Sequence, residues 1–363
     1  MFSLVDRQYM AEALRLAGLG LYTTTPNPRV GCVIVRDSKV AGTGWHEQAG
    51  GPHAEVLALA AAGAGARGAT AYVSLEPCSH HGRTPPCTDA LIEAGIARVV
   101  AAMQDPNPRV AGEGFAALRA AGIEVESGLM QDEAQALNIG FVARMRRGRP
   151  WVRMKIAASL DGRTALANGQ SQWITGPEAR RDGHAWRARA CAVLTGIGTV
   201  RDDDPQLNVR DVQTPRQPLK VVVDSRLQLP PTAKLLATGR VLVAAAVADQ
   251  ARIAALQDQG AEVLVLPDAG GKVDLAQLMR ELARRELNEV HVEAGYKLNG
   301  SLLAAGLVDE LLIYLAPGLL GDTARAMFHL PEIADLAEKR LVQFTDVQTI
   351  GGDLRILARV AIN

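Results

Sequence analysis

His53-Ala54-Glu55, followed by Glu76-Pro77-Cys78-Ser79-His80-His81-Gly82-Arg83-Thr84-Pro85-Pro86-Cys87, are the stretches that decide how this chain is read. They supply one imidazole, two thiols and a carboxylate two residues from the imidazole. His53, Cys78 and Cys87 form a three-donor set for Zn2+. Three protein ligands leave the fourth tetrahedral position to water, which marks a catalytic rather than a structural site. Glu55 is then placed to shuttle protons for that water. The combination points to hydrolytic deamination. The general zinc-deaminase pattern has two residues between its cysteines, whereas eight separate Cys78 from Cys87. The longer loop also carries His80 and His81, either of which could act as a fourth ligand and close the site.

Working outward, both Cys87 and His53 read as helix starts. Pro52 and Pro86 precede them, and Val56, Leu57 and Ala60 repeat at helical spacing. Helix N-termini carry partial positive charge and favour thiolate over thiol. Around these helices the first 147 residues alternate helix-like and strand-like segments. Helices are expected at Asp6 to Ala17, Thr88 to Ala94, Gly114 to Ala121 and, as one long element, Asp132 to Met145. Strands are expected at Val30 to Val35, Val40 to Trp45, Ala71 to Leu75, Ala97 to Met103 and Ile123 to Glu126. Such alternation implies a sheet covered on both faces.

Arg146-Arg147-Gly148-Arg149-Pro150 is short, charged and turn-prone, and marks a boundary. Domains are expected at residues 1–147 and 148–363. The second is again α/β, with strands at Val152 to Ala157, Ala190 to Thr195, Leu219 to Val223, Val241 to Ala246, Glu262 to Leu266, Glu289 to Val292 and Glu310 to Leu315. Gly196-Ile197-Gly198 follows a strand, but Arg201 stands where a Rossmann fingerprint needs Gly. Gly295 to Ser301 also follows a strand and opens a helix, so its backbone N–H groups could hold a cofactor phosphate. The pentapeptide Pro-Asn-Pro-Arg-Val occurs at 26–30 and again at 106–110. Both copies read as rigid loops next to strands, either a coincidence of loop chemistry or a shared lining of the proposed pocket.

Composition narrows the classes. The chain has 363 residues, 48% of them hydrophobic, enough for two packed cores. Lys+Arg and Asp+Glu are both 39, giving zero formal charge, and aromatic residues are 4%. That speaks against a basic, aromatic-studded nucleic-acid groove. Four cysteines, two of them assigned to metal and Cys32 and Cys191 in apolar runs, make no disulfide framework and fit a reducing cytoplasm. Charged residues interrupt the N-terminus, so no signal peptide is expected. No run approaches the roughly 18 apolar residues of a membrane span.

Thr25-Pro26-Asn27-Pro28 with Val30-Gly31, the His53 and Glu76 to Cys87 stretches, and Asp105-Pro106-Asn107-Pro108 closely resemble the bifunctional deaminase–reductase family of riboflavin biosynthesis. Lys155 to Arg163, Ser171 to Thr175, Asp203-Asp204-Pro205 and Val292-Glu293-Ala294-Gly295 extend the resemblance over nearly the whole chain. The long gap between the cysteines is normal in that family. The resemblance implies a cytidine-deaminase-like three-layer domain followed by a dihydrofolate-reductase-like domain. The first would deaminate a diaminopyrimidinone ribosyl phosphate, with Asn27, His46, His80 and Arg83 lining its pocket. The second would reduce the ribosyl group to ribityl with NADPH. Ala157, Trp173, Thr199, Asp203, Ser225 and Gly295, Tyr296, Lys297, Leu298, Asn299, Gly300 and Ser301 would contact the cofactor. Lys155, Ser171, Arg187, Leu207, Arg210 and Glu293 would contact the substrate, with Arg187 and Arg210 suited to its phosphate. Asp161 reads instead as a turn or capping residue. The family often assembles as a homo-oligomer through its reductase part. The expected ligand is a small pyrimidine nucleotide, with neither nucleic acid nor membrane as partner. The rival reading is a polynucleotide deaminase acting on tRNA, with an appended nucleotide-binding domain.

Overall fold

Val30 to Val35 is a continuous apolar run, as expected of a strand buried on both faces, and most of it forms an inner strand of the first unit's sheet. The computed structural model describes residues 2–80, 85–108 and 110–361. The chain divides into two compact units between Gly148 and Arg149. Arg149 is held from the second side, with its guanidinium bidentate to Asp309 at 2.8 and 2.9 Å.

In chain order the first unit comprises α1 (Leu4–Gly18), β1 (Gly31–Arg36), β2 (Lys39–Trp45), α2 (Ala54–Ala62), β3 (Thr70–Val73), α3 (Cys87–Glu93), β4 (Arg98–Ala101), α4 (Glu113–Ala120), β5 (Glu124–Ser127), α5 (Gln131–Leu137) and α6 (Ile139–Arg147). The sheet order is β2-β1-β3-β4-β5. β1 is antiparallel to β2 and β3, while β3, β4 and β5 run parallel. Alternation along β1 produces the layers. Cys32 and Ile34 pack with Ala54 and Ala58 of α2, Leu91 of α3 and Leu118 of α4. Val33 and Val35 pack on the other face with Met10, Ala13 and Leu16 of α1 and Ala134 of α5. This is the three-layer arrangement expected. Each fully buried Val, Leu, Ile or Met among them contributes about 1.5–3 kcal/mol.

The helices lie unusually close to the sheet. A Cβ on Gly44 would sit 2.4 Å from the Ala54 carbonyl oxygen, and one on Gly42 would sit 2.3 Å from that of Ala58. Glycine at these alternate positions of β2 therefore lets backbone meet backbone beneath α2. The helix expected from Asp132 to Met145 is in fact two, interrupted at Asn138. Its side chain is the reason. Oδ1 accepts from Arg29 N–H at 2.8 Å and Nδ2 donates to the Arg29 carbonyl at 2.9 Å. A buried carboxamide bonded twice to one residue's backbone outweighs an unbroken helix.

The second unit comprises β6 (Trp151–Ser159), β7 (Arg163–Ala165), α7 (Pro177–Arg189), β8 (Ala192–Gly196), α8 (Ile197–Asp203), β9 (Leu219–Val223), β10 (Val241–Ala245), α9 (Gln250–Gln257), β11 (Ala261–Val265), α10 (Leu275–Arg284), β12 (Glu289–Val292), α11 (Tyr296–Ala304), β13 (Glu310–Ala316), β14 (Arg325–Ala326), β15 (Val342–Ile350) and β16 (Asp353–Val360). Its main sheet has the order β11-β10-β9-β8-β12-β6-β13-β16-β15. The seven strands from β11 to β13 are parallel, and β16 and β15 are antiparallel additions. α10 and α11 cover one face; α8 and α9 cover part of the other, joined there by α7. The sequence reading did not name β15 and β16. β15 carries a register shift between Phe344 and Asp346, and its apolar residues face outward, so neither alternation nor burial announces it.

Candidate active sites

Cys78 is the hinge of the first site. Its sulfur accepts the Cys87 backbone N–H at 3.4 Å, and its carbonyl accepts the Thr88 N–H at 3.1 Å. It thus caps the start of α3, whose first residue is Cys87. His53 is the N-cap of α2. The His53 Nδ1 lies 3.2 Å from the Cys87 sulfur and 3.5 Å from the Cys78 sulfur. All three donor atoms fall within 4.8 Å of one another. Hydrogen bonding from Cys87 pulls the Cys78 thiol well down, favouring thiolate there and holding the proton on Cys87. One nitrogen and two sulfurs at this spacing fit Zn2+. Among the described residues no fourth His, Cys, Asp or Glu joins the group. His80 is exposed and outside it; His81 and Arg83 lie outside the described residues.

Glu55, on the first turn of α2, is 3% exposed. Its Oε2 has no hydrogen-bond partner among the described residues. Burial, reinforced by the negative Cys78, pushes its carboxyl up to about 7. A carboxyl with an ordinary affinity below 5 is thereby brought to where it can both take and give a proton near neutrality.

The walls follow from two polar chains. His46 donates from Nδ1 to the Pro52 carbonyl, 3.0 Å away, because a carbonyl can only accept. Burial pushes its imidazole down toward the neutral form. Nε2 must then accept from Asn27 Nδ2 at 3.0 Å. The His46 ring meets that of His53 edge-on, centroids 5.4 Å apart, so Asn27 and His46 stand beside the donor set.

Opposite them, Glu76 is a residue whose role the sequence reading did not see. Its carboxylate, 5% exposed, accepts four backbone N–H groups: Asp105 and Gly112 at 3.0 Å, Gly114 at 2.9 Å and Phe115 at 3.2 Å. It therefore fixes the loop after β4 and the start of α4 against the Cys78 turn. A Cβ on Gly114 would sit 2.0 Å from the Pro77 carbonyl oxygen, so only glycine fits there. The repeated pentapeptide divides its roles. Asn27 reaches His46, whereas Arg29 turns inward to the carbonyls of Leu137 and Leu21. Asp105, at the head of the second copy, interacts electrostatically with His80 and Cys78. Arg109 lies outside the described residues.

The second site is a cleft of about 1460 Å3 at the carboxyl ends of the parallel strands, where open α/β sheets bind ligands. Lys155, Ser171, Arg187, Leu207, Arg210 and Glu293, expected at the substrate, all line it. So do Ala157, Trp173, Thr199, Asp203, Ser225 and the residues from Gly295 to Asn299. Gly300 and Ser301 do not: a Cβ on Gly300 would lie 1.9 Å from the His329 carbonyl oxygen, and the Ser301 hydroxyl donates to the Lys297 carbonyl at 3.0 Å. These two sit on the packed and outer faces of α11. Arg187, expected as a phosphate ligand, is committed otherwise. Its Nε and Nη2 donate to Glu293 at 2.7 and 2.9 Å, and Nη1 to the Asn208 carbonyl at 2.6 Å. Burial alone would raise the Glu293 carboxyl, but Arg187 more than offsets this and holds it below the carboxylate range. Burial pushes the Lys155 ammonium down, opposed by Glu293. Arg210 remains exposed, with Nη1 on Asn208 Oδ1 at 2.7 Å.

The starts of α8 and α11 adjoin on the cleft wall. A Cβ on Gly196 would contact Leu298 at 3.2 Å, and one on Gly295 would reach Thr199 Oγ1 at 3.7 Å. Two adjoining helix starts with their N–H groups toward one space suit a pyrophosphate. Trp173, 69% exposed, stands at the edge under the Arg180 guanidinium, 4.4 Å above its ring. Asp161 behaves as the turn residue expected, accepting from Ser159 Oγ and from the N–H groups of Leu320 and Gly321.

Comparison with known proteins adds the following. The cytidine and deoxycytidylate deaminase zinc-binding region matches residues 4–103, and the RibD C-terminal domain matches residues 150–356. The riboflavin biosynthesis protein RibD of Escherichia coli (strain K12) is 50% identical over 361 residues, 96% of this chain and 98% of that one. A RibD structure from Acinetobacter baumannii matches with a TM-score of 0.92 and 46% identity, covering 99% of each chain. A Thermotoga maritima structure, described as a diaminohydroxyphosphoribosylaminopyrimidine deaminase/5-amino-6-(5-phosphoribosylamino)uracil reductase, matches with a TM-score of 0.87 and 32% identity. It covers 98% of this chain and 99% of that one.

Proposed function

This chain belongs to the RibD family of bifunctional riboflavin-biosynthesis deaminase–reductases, and on that footing we propose how its two units divide the work. The unit ending at Gly148 deaminates 2,5-diamino-6-ribosylamino-4(3H)-pyrimidinone 5′-phosphate. The unit beginning at Arg149 then reduces the ribosyl chain of the product to ribityl with NADPH. The Thermotoga maritima relative, described as a deaminase and reductase of these phosphoribosylaminopyrimidines, supports these substrates. The observation that carries the reading is Glu55: a buried carboxyl with an unpartnered oxygen, two residues from one donor of a three-donor metal group. A polynucleotide deaminase is not favoured, since the relatives share both units.

His53, Cys78 and Cys87 would hold Zn2+, which supplies the Lewis acidity that makes water nucleophilic at neutral pH. Glu55 takes one proton from the attacking water and delivers it to the ring nitrogen, then takes the second from the hydroxyl of the tetrahedral adduct and passes it to the amine, which departs as ammonia as the ring carbonyl forms. Asn27, oriented by His46, pairs with the amide edge of the ring. In the second unit NADPH supplies a hydride. The N–H groups at the starts of α8 and α11 would hold its pyrophosphate, and Trp173 would cover the cleft edge. Glu293, clamped by Arg187, and Lys155 orient the ribose being reduced, and Arg210 takes its phosphate. Thus Arg187 acts on the substrate through Glu293. In a direct assay, zinc-loaded protein should release ammonia from the diaminopyrimidinone without NADPH, and oxidise NADPH only once that product is present. Ammonia release that depends on NADPH, or none at all, would sink the reading.

Among the described residues no helix is long and apolar enough to cross a membrane, and the four cysteines are free, which supports a reducing cytoplasm. A second copy is the proposed partner. β15 is an edge strand with Phe344 65% and Val347 55% exposed, and unpaired apolar edges are templates for association. Sedimentation should show a dimer or larger, and Phe344→Glu with Val347→Glu should shift it to monomer; a monomeric parent chain refutes this.

A further inference from the structure

Leu207 and Arg210 stand on a segment with neither helix nor strand, between α8 and β9. Such connections ordinarily ride the surface and vary in conformation. This one is anchored: Leu207 is 4% and Val209 6% exposed. Leu207 also has a φ of +54°, a left-handed conformation that leucine keeps only where its surroundings impose it. Three side chains impose it, each gripping one of three successive residues. Arg187 Nη1 donates to the Asn208 carbonyl at 2.6 Å. Gln217 takes Val209 twice: Oε1 accepts its N–H at 2.7 Å and Nε2 donates to its carbonyl at 3.1 Å. His184 Nδ1 accepts the Arg210 N–H at 3.4 Å.

The grip originates in one helix. His184 and Arg187 are three residues apart on α7 and so share a face. Arg216, adjacent to Gln217, donates to the carbonyls of Ala188, Arg189 and Ala190 at the end of the same helix. α7 thereby sets the place of all three gripping side chains. The His184 tautomer follows from its partner. A backbone N–H can only donate, so Nδ1 is unprotonated and the neutral ring carries its proton on Nε2, 3.6 Å from Asp211 Oδ2. Burial, joined by the Arg187 and Arg210 guanidiniums, pushes the imidazole down to about 4 against the opposing pull of Asp211 and Glu293. The accepting form therefore prevails at neutral pH. What the grip delivers is Arg210. Its backbone is fixed by His184, and its Nη1 rests on Oδ1 of the equally fixed Asn208 at 2.7 Å. A guanidinium held at both ends and exposed to the cleft is preorganised for an anion.

We propose that His184 and Gln217 are positioning residues for the reduction: they hold the backbone of Val209 and Arg210 so that the Arg210 guanidinium meets the phosphate of the pyrimidine substrate. This rests on the reading of Arg210 as the phosphate's ligand. The test measures kcat and KM for the deaminated pyrimidine phosphate, KM for NADPH, and the inhibition constant of the same pyrimidine lacking its phosphate. His184→Leu and Gln217→Leu should each raise the KM for the phosphorylated pyrimidine about three- to tenfold, the effect of one or two hydrogen bonds, with the other three quantities within about twofold of the parent. His184→Asn should restore that KM, because its Oδ1 accepts the same N–H. Where leucine prevents folding, Gln217→Glu carries the same expectation, since it keeps the acceptor and loses the donor. The proposal is overturned by an unchanged KM in these variants, by an equal loss for the dephosphorylated pyrimidine, or by failure of asparagine to restore what leucine removes. Arg210→Gln tests the footing separately. An unchanged KM there removes Arg210 from the phosphate, whereas a raised KM beside unaffected His184 and Gln217 variants overturns the positioning role alone.

Discussion

The two sites solve opposite problems. The metal group takes its donors from His53 to Cys87, two of them fixed at helix starts and the third capping one of those helices. The cleft takes its lining from Lys155 to Arg325, spread over the ends of many parallel strands. In the first, local chain geometry places the chemistry. In the second, the sheet places it, and individual side chains matter through their partners. The difference teaches that single substitutions should be all-or-none in one unit and graded in the other.

The sharpest way to break this contrast is at the donors. Cys78→Ala should reduce bound zinc, measured by elemental analysis, to near zero. It should lower ammonia release by more than about 1000-fold, whereas Glu55→Gln should keep the zinc and still cost about 100- to 10,000-fold. Both variants should reduce the deaminated substrate at the parent rate; a matching loss there would show that the units are not chemically separate. In the cleft, Glu293→Gln leaves Arg187 buried without its counter-charge. Removing one partner of such a pair costs about 3–5 kcal/mol, so the second unit should melt earlier and reduction should weaken, with ammonia release intact. The smallest effect sharpens the packing side: Gly44→Ala forces a methyl against the Ala54 carbonyl and should destabilise the first unit by about 1–3 kcal/mol in urea, with zinc still bound at 25 °C.

Legibility follows the same divide. The donors, Glu55 and the helix starts could be read because their spacing is itself the signal. The three layers could be read because Val30 to Val35 is apolar without interruption. Asn138 could not, because its helix-breaking bonds are made to Arg29, a partner more than 100 residues away. Glu76 was visible in its motif, but its four N–H donors come from a loop and helix with no pattern of their own. In the second unit the strands were legible and the edge hairpin was not, since outward apolar residues mimic a loop. The commitment of Arg187 to Glu293 arises only when α7 meets the end of β12.

Gly42 and Gly44 let β2 meet α2 backbone to backbone, so along β2 no side chain of the strand cushions the helix that bears His53 and Glu55. Such a joint has one seat and no half-open position. On this geometry the imidazole and the carboxylate should be lost together with the first unit rather than before it, so release of zinc on heating should coincide with the loss of the unit's helical signal.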